Sequence, residues 1–275
     1  MLGEVLTATV TPFDADGAVD YERYRELCAF LVDNGSDGVV VSGTTGESPT
    51  LSDDERVELL RVAIDAIGDR ATVLAGTGTN STTHSIHLTE EAHEAGADGF
   101  LVVTPYYNKP PPRGIVEHFK AVAAASDRPV MVYNIPSRVV INVEPETMAQ
   151  LAEIPNVTSV KQANDDLEQA RRIVELGGKG GVCVHTHVVG PQVKEMVRRF
   201  REGDTERARR IHEELAPAYE LLGVTTGPIQ IKAALNLLGQ DVGGLRLPLV
   251  EASEEERTQI RDCLERLGVL EQASV

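Results

Sequence analysis

The chain has 275 residues, with 26 Lys plus Arg against 43 Asp plus Glu, a formal net charge of −17, and 41% hydrophobic residues. These proportions belong to a folded domain and exclude a disordered chain. They also argue against nucleic acid as a partner, because no basic stripe is present to neutralise phosphates. No apolar run approaches the ~20 residues of a membrane helix, and MLGEVLTATVTPF lacks the basic region and apolar core of a secretory signal. Cys28, Cys183 and Cys263 are far apart and form no CxxC pair, so neither a disulfide framework nor a zinc site is expected; reduced thiols in a cytoplasmic protein are. Positive charge is mostly arginine, with only six lysines, at 109, 120, 161, 179, 194 and 232.

In chain order, Leu6–Val10 reads as a first strand and Asp20–Asp33 as a helix with Tyr24, Leu27, Phe30 and Leu31 on one face. GVVV, at 38–41, is the continuous apolar run of a strand buried on both faces. Ser52–Ile67 opens with Ser-Asp-Asp-Glu, a capping box, and continues as a helix. The alternation goes on with a strand at 72–75, a helix at 81–95, a strand at 100–103 and a helix at 114–125. A strand at 130–133, a short helix at 145–152 and a strand at 157–161 follow. Then come a helix at 165–176, a strand at 181–184 and a helix at 191–201. Only helices remain, at 204–222, 228–238 and 253–267.

Strand-then-helix repetition implies parallel strands joined by crossover helices. No GxGxxG opens the first turn and no GxxxxGK[ST] is present, which argues against a dinucleotide or P-loop sheet. The expected fold is a TIM (β/α)8-type barrel at 1–203 with a C-terminal helical region at 204–275 packed on it. The count is seven strand candidates, one short of the closed barrel.

Chemistry in such folds sits at the C-terminal ends of strands. Lys161 closes the apolar strand NVTSVKQ. Burial there lowers the cost of the neutral amine, the nucleophile a Schiff base needs, although a strand-end lysine also reads as one that snorkels or pairs with a carboxylate. Gly43–Glu47 puts two hydroxyls and backbone N–H groups on a glycine-flanked turn, suited to a small carboxylate or phosphate or to ordinary helix capping. Tyr133 stands as a general acid/base or as a polar edge of the core. Arg138 stands as a carboxylate clamp or a surface ion pair. His185 and His187 alternate as strand ligands would, but no third ligand lies near, so strand-end histidines without metal are expected. His84 and His87 read as a solvated or interface face.

Taken together, GTTGE (43–47), PYYNKP (105–110), YNIPSR (133–138) and VKQA (160–163) resemble the dihydrodipicolinate synthase / N-acetylneuraminate lyase family. LTATVTPF at the start and KAALNLLGQDVGGLRLPL (232–249) resemble the same family, so the likeness runs nearly the whole length in order. It implies a class I lyase that forms an imine between Lys161 and pyruvate without a cofactor or metal. It implies that Thr44 and Thr45 receive the pyruvate carboxylate, with Gly46 in the same turn. Thr44 would also join a proton relay with Tyr133, the general acid/base, and Tyr107, which reaches across a tight dimer. Arg138 would bind the carboxylate of L-aspartate semialdehyde, and Cys183 would stand where a backbone carbonyl faces the lysine. Thr44-Thr45 and Ser137-Arg138 are similar to the synthase branch, which makes a short acidic aldehyde the expected second substrate and lysine/diaminopimelate biosynthesis the expected pathway. A related aldolase acting on a sugar-derived 2-keto acid, and a deletion variant with impaired catalysis, are the alternatives. A homo-oligomer, a dimer or a tetramer of tight dimers, is implied. Asn80 and Tyr106 match a lysine-inhibition site of the family, but His84 replaces an acid there, which argues against feedback inhibition.

One departure stands out. After Lys161 a single helix runs straight into Gly177-Gly178-Lys179-Gly180, where the family has a further strand and helix of roughly twenty residues. A gap of this kind exposes two parallel strand edges, so distortion, repacking or a covering partner is expected between the strands of Lys161 and Cys183.

Overall fold

The structure, a computed structural model, describes residues 2–175 and 177–270. Seven parallel strands form one sheet: β1 (Val5–Ala8), β2 (Gly38–Val41), β3 (Thr72–Gly76), β4 (Gly99–Val103), β5 (Val130–Asn134), β6 (Val157–Gln162) and β7 (Gly181–Cys183). Their spatial order is β6-β5-β4-β3-β2-β1-β7. The sheet curls as a barrel does, but β6 and β7 are not paired, so the expected gap after Lys161 is real and lies between them.

Side chains alternate across the sheet because the strand period is two. Leu6, Ala8, Val40, Leu74, Leu101, Met131 and Tyr133 fill the barrel interior. Val39, Val41, Val73, Phe100, Val102 and Val132 face the helices. The same alternation fixes the seam. The Ala163 N–H donates to Asn134 O at 2.9 Å, so Lys161 and Ala163 turn their backbone toward β5 while Val160 and Gln162 turn theirs to the gap. On the other side the Gly181 N–H donates to Glu4 O at 2.8 Å, so Gly181 and Cys183 face β1 and Val182 faces the gap. Ser159 Oγ, on β6, is buried without a partner among the described residues.

The helices of the barrel are α1 (Tyr21–Asp33), α2 (Asp53–Ile67), α3 (Thr82–Glu94), α4 (Pro112–Ala123), α5 (Pro136–Val139), α6 (Pro145–Ala152), α7 (Leu167–Glu175) and α8 (Thr186–Arg201). Ser52 and Glu55 make the reciprocal capping box of α2. Helix α4 starts two residues before the expected Gly114, because Pro112 occupies its first position, where a missing N–H costs nothing. Helix α7 has no buried residue; Leu167 is 81% exposed. A polar network ties it to β6 instead: Gln162 Nε2 and Asn164 Nδ2 donate to Gln169 Oε1 at 2.9 and 2.7 Å.

Two helix expectations need correction. Helix α8 begins at Thr186, not Pro191; a kink at Val189 (φ −127°, ψ 34°) precedes the proline, whose ring and missing N–H break the regular ladder. The single helix expected over 204–222 is two, α9 (Thr205–Glu214) and α10 (Ala216–Leu221), which meet at Leu215 before Pro217. Helices α11 (Gly227–Leu237) and α12 (Glu254–Arg266) complete the chain, with α12 packed on α10 and α11, and α9 on α8. No helix among the described residues is long and apolar enough to cross a membrane.

Candidate active site

Strands β5 and β6 pair in a register that sets Tyr133 beside Lys161. The Lys161 Nζ lies 4.3 Å from the centroid of the Tyr133 ring, within cation–π range. Burial is the main cause that brings the Lys161 amine down to about 8; the Cys183 thiol opposes this and the Arg138 charge adds to it. Burial raises the Tyr133 phenol above its ordinary value, while Arg138 and the Thr44 side chain pull it back. Lys161, Tyr133, Arg138 and Thr44 are therefore electrostatically one site.

The loop after β5 is set by Asn134, which is fully buried. Its Nδ2 donates to Asn142 Oδ1 at 2.9 Å and Gln162 Oε1 at 3.2 Å, and its Oδ1 accepts the Val143 N–H at 3.0 Å. These bonds close the 135–143 loop, in which Pro136 starts the one-turn helix that carries Arg138. Arg138 is exposed and makes no ion pair among the described residues. Its Nη2 reaches to 3.9 Å of where a Cβ on Gly227 would stand, an ordinary van der Waals distance that places the guanidinium beside the start of α11.

The turn after β2 folds on itself. Gly43 O accepts the N–H of Gly46 at 3.1 Å and of Ser48 at 3.3 Å, and Thr44 O accepts that of Glu47 at 3.2 Å. The N–H groups of Thr44 and Thr45 donate to no acceptor among the described residues, which leaves two N–H donors and the Thr45 hydroxyl for an anion, with the Thr44 hydroxyl on Tyr133. The Gly46 N–H is spent within the turn, and its carbonyl accepts the Thr11 hydroxyl at 2.7 Å. A Cβ at Gly46 would stand 3.1 Å from Thr9 O, a tight contact that the absence of a side chain relieves.

Other expected residues stand apart. Tyr107 is 89% exposed, at φ 72°, with its ring open to solvent among the described residues. The Cys183 thiol packs outward against the cluster of Val5, Val189 and Val193. Burial pushes this thiol up to about 11, which makes it a poor nucleophile. His187 has both ring nitrogens engaged: Nδ1 donates to Val184 O at 2.7 Å and Nε2 accepts the Val10 N–H at 3.3 Å, an arrangement of the neutral ring in which neither nitrogen is left for a metal. His185 stacks edge-on against Tyr219 at 5.6 Å. His84 Nε2 is 3.0 Å from Asp53, and Asn108 Nδ2 holds Asn80 O at 2.8 Å.

Sequence reasoning missed the ion pair behind the turn. Lys232 Nζ is 2.7 Å from Glu47 Oε1, and both side chains are 1% exposed. The only signal was the presence of both residues in quoted motifs 185 positions apart.

The model of the Dihydrodipicolinate synthetase family matches residues 1–176 and 170–267. The chain belongs to this family. The family match breaks at 170–176, next to the open seam. A 4-hydroxy-tetrahydrodipicolinate synthase from Moorella thermoacetica is 46% identical over 289 residues, covering 98% of this chain and 99% of that one. That alignment is longer than the 275-residue chain, so the relative carries residues that are missing here. A crystal structure of dihydrodipicolinate synthase from Cyanidioschyzon merolae with lysine bound matches with a TM-score of 0.94 at 42% identity, covering 98% of this chain and 99% of that one. The Thermotoga maritima dihydrodipicolinate synthase structure also gives 0.94, at 39% identity, with 98% and 100% coverage.

Proposed function

We propose that the protein condenses pyruvate with L-aspartate semialdehyde, as a 4-hydroxy-tetrahydrodipicolinate synthase. The observation that carries this reading is the Lys161 amine, brought down to about 8 and stacked on Tyr133 at the mouth of an α/β barrel. About a tenth of it is neutral near pH 7, and only the neutral amine attacks a carbonyl. Thr44 and Thr45 receive the pyruvate carboxylate on their free N–H groups and the Thr45 hydroxyl. The amine adds to the keto carbon, water leaves, and the imine acidifies the adjacent methyl. Loss of a methyl proton gives an enamine, whose carbon attacks the aldehyde carbon. Tyr133, with Thr44, moves the protons of these steps. Arg138, unpaired at the entrance, holds the second substrate's carboxylate.

No cofactor is required, since the imine itself is the electron sink. The Tyr107 ring is open to solvent, which suits a residue completing the site of a second copy, so a homo-oligomer of tight dimers goes with this reading. The barrel through residue 203 then forms the catalytic unit, and the described residues from 204 to 270 a helical region packed on it, in a cytoplasmic enzyme. Borohydride added with pyruvate is expected to leave a reduced pyruvyl adduct on Lys161, located by peptide mass, and Lys161→Ala to leave none. A folded wild-type protein without adduct refutes the proposal. The open seam favours one other reading, an enzyme that forms the imine but turns over slowly; adduct formation without condensation would identify it.

A further inference from the structure

The turn that carries Thr44 and Thr45 is clasped by residues almost two hundred positions away. Ser42 and Glu47, at its two ends, sit at φ 53° and 56°, a left-handed backbone that residues with side chains keep only when their surroundings over-determine it. Residues 232–246 supply those surroundings at Glu47. The buried Glu47 carboxylate pairs with Lys232 at 2.7 Å and accepts the Arg246 N–H at 3.0 Å. Lys232 Nζ also donates to Gly244 O at 2.5 Å and lies 4.0 Å above the Phe13 ring. The Arg246 guanidinium covers the same ring at 4.5 Å. It bonds Thr50 O at 2.9 Å and forks onto Glu55 at 2.6 and 2.9 Å. Glu55 in turn caps the start of α2. The Glu47 end of the turn is thus fixed to the C-terminal region, and none of these three residues points at Lys161.

We propose that Glu47, Lys232 and Arg246 are positioning residues that lock the Thr44–Thr45 turn from the C-terminal helical region, and so set how tightly the pyruvate carboxylate is held. This rests on the reading of that turn as the carboxylate seat. A paired buried charge is strongly coupled to its partner: removal of one leaves the other uncompensated, whereas removal of both is far better tolerated. The turn's geometry and the protein's stability can therefore be separated.

The test uses the full chain with Glu47→Gln, Lys232→Met and the double variant. Hydrogen exchange at the Gly46, Glu47 and Ser48 amides, which close the turn, is expected to accelerate at least tenfold in Glu47→Gln, with the Val40 and Leu101 amides unchanged. The pyruvate concentration giving half-maximal borohydride adduct is expected to rise about fivefold, with the maximal adduct unchanged. In the double variant the melting temperature is expected to recover relative to Lys232→Met, while fast turn exchange and weak pyruvate binding persist. The proposal is overturned if the turn exchanges at the wild-type rate in Glu47→Gln, or if pyruvate binding recovers together with the melting temperature. Should wild-type protein form no adduct at all, the assignment of the carboxylate seat falls, and the exchange data still decide whether the clasp holds the turn.

Discussion

Strands β1, β2 and β5 are buried along their whole length and hydrogen-bonded on both sides, whereas β6 and β7 are paired on one side only and keep partly exposed residues to their ends. The two regions share one sheet and one direction, so the difference comes from the missing neighbour. A parallel strand needs both edges satisfied and both faces covered. The closed wall meets that need with apolar side chains in two layers. The seam replaces it with a polar network around Gln169 and a helix that buries nothing. The candidate site divides along the same line: the 43–47 turn and Tyr133 stand on the closed wall, Lys161 on an edge strand.

The largest expected contrast is in amide exchange. Amides of β2 to β4 should exchange only through unfolding of the domain, a cost of roughly 5–15 kcal/mol. The Val160, Gln162 and Val182 amides, which face the gap, should exchange within about tenfold of an unprotected chain. Equal protection at both would mean that the seam is closed in solution.

Side-chain deletions should follow the same division. Phe100, fully buried on β4, should cost about 3–5 kcal/mol when replaced by alanine. Leu167→Ser on the exposed face of α7 should stay within about 0.5 kcal/mol. Urea unfolding monitored by circular dichroism measures both, and a large loss at Leu167 would show that α7 is buried against something in solution.

The smallest effect concerns Lys161 and pH. Its amine gives up its proton near 8 in the folded protein against 10.5 ordinarily. Between those values the unfolded chain binds more protons, so this group makes stability rise with pH in that window and adds no dependence below it. Adduct formation needs the neutral amine, so its rate should rise about tenfold per pH unit below 8 and level off above. Arg138→Ala removes a charge that holds the amine down, so the midpoint should move upward by less than about one unit. A midpoint that moves downward would place the Arg138 charge elsewhere.

Much of the fold was legible because its signals are local. Apolar runs such as GVVV, and the Ser52–Glu55 capping box, act within a few residues, and the structure keeps them. The short strand count was legible for the same reason and located the seam. Breaks set by packing were not legible: the joint at Leu215 and the kink at Val189 place helices against the barrel, and only the prolines nearby hinted at them. In the site, Lys161 and Tyr133 could be anticipated from their strand ends. The Glu47–Lys232 pair could not, because two opposite charges in distant motifs say nothing about burial until the chain brings them together. Neither could the outward course of the Cys183 side chain, which depends on the register of β7 against β1.

The seam also has a consequence for competition between nucleophiles. In a closed barrel the lysine is reached only from the mouth, and a substrate seated there shuts the bulk solvent out. Here the lysine's own strand has an open flank, so under the proposed function solvent would approach an imine carbon on Lys161 from the side as well. Hydrolysis back to pyruvate would then compete with carbon–carbon bond formation throughout the life of that intermediate. The lifetime of the imine, more than the ease of forming it, would be the quantity that governs productive turnover.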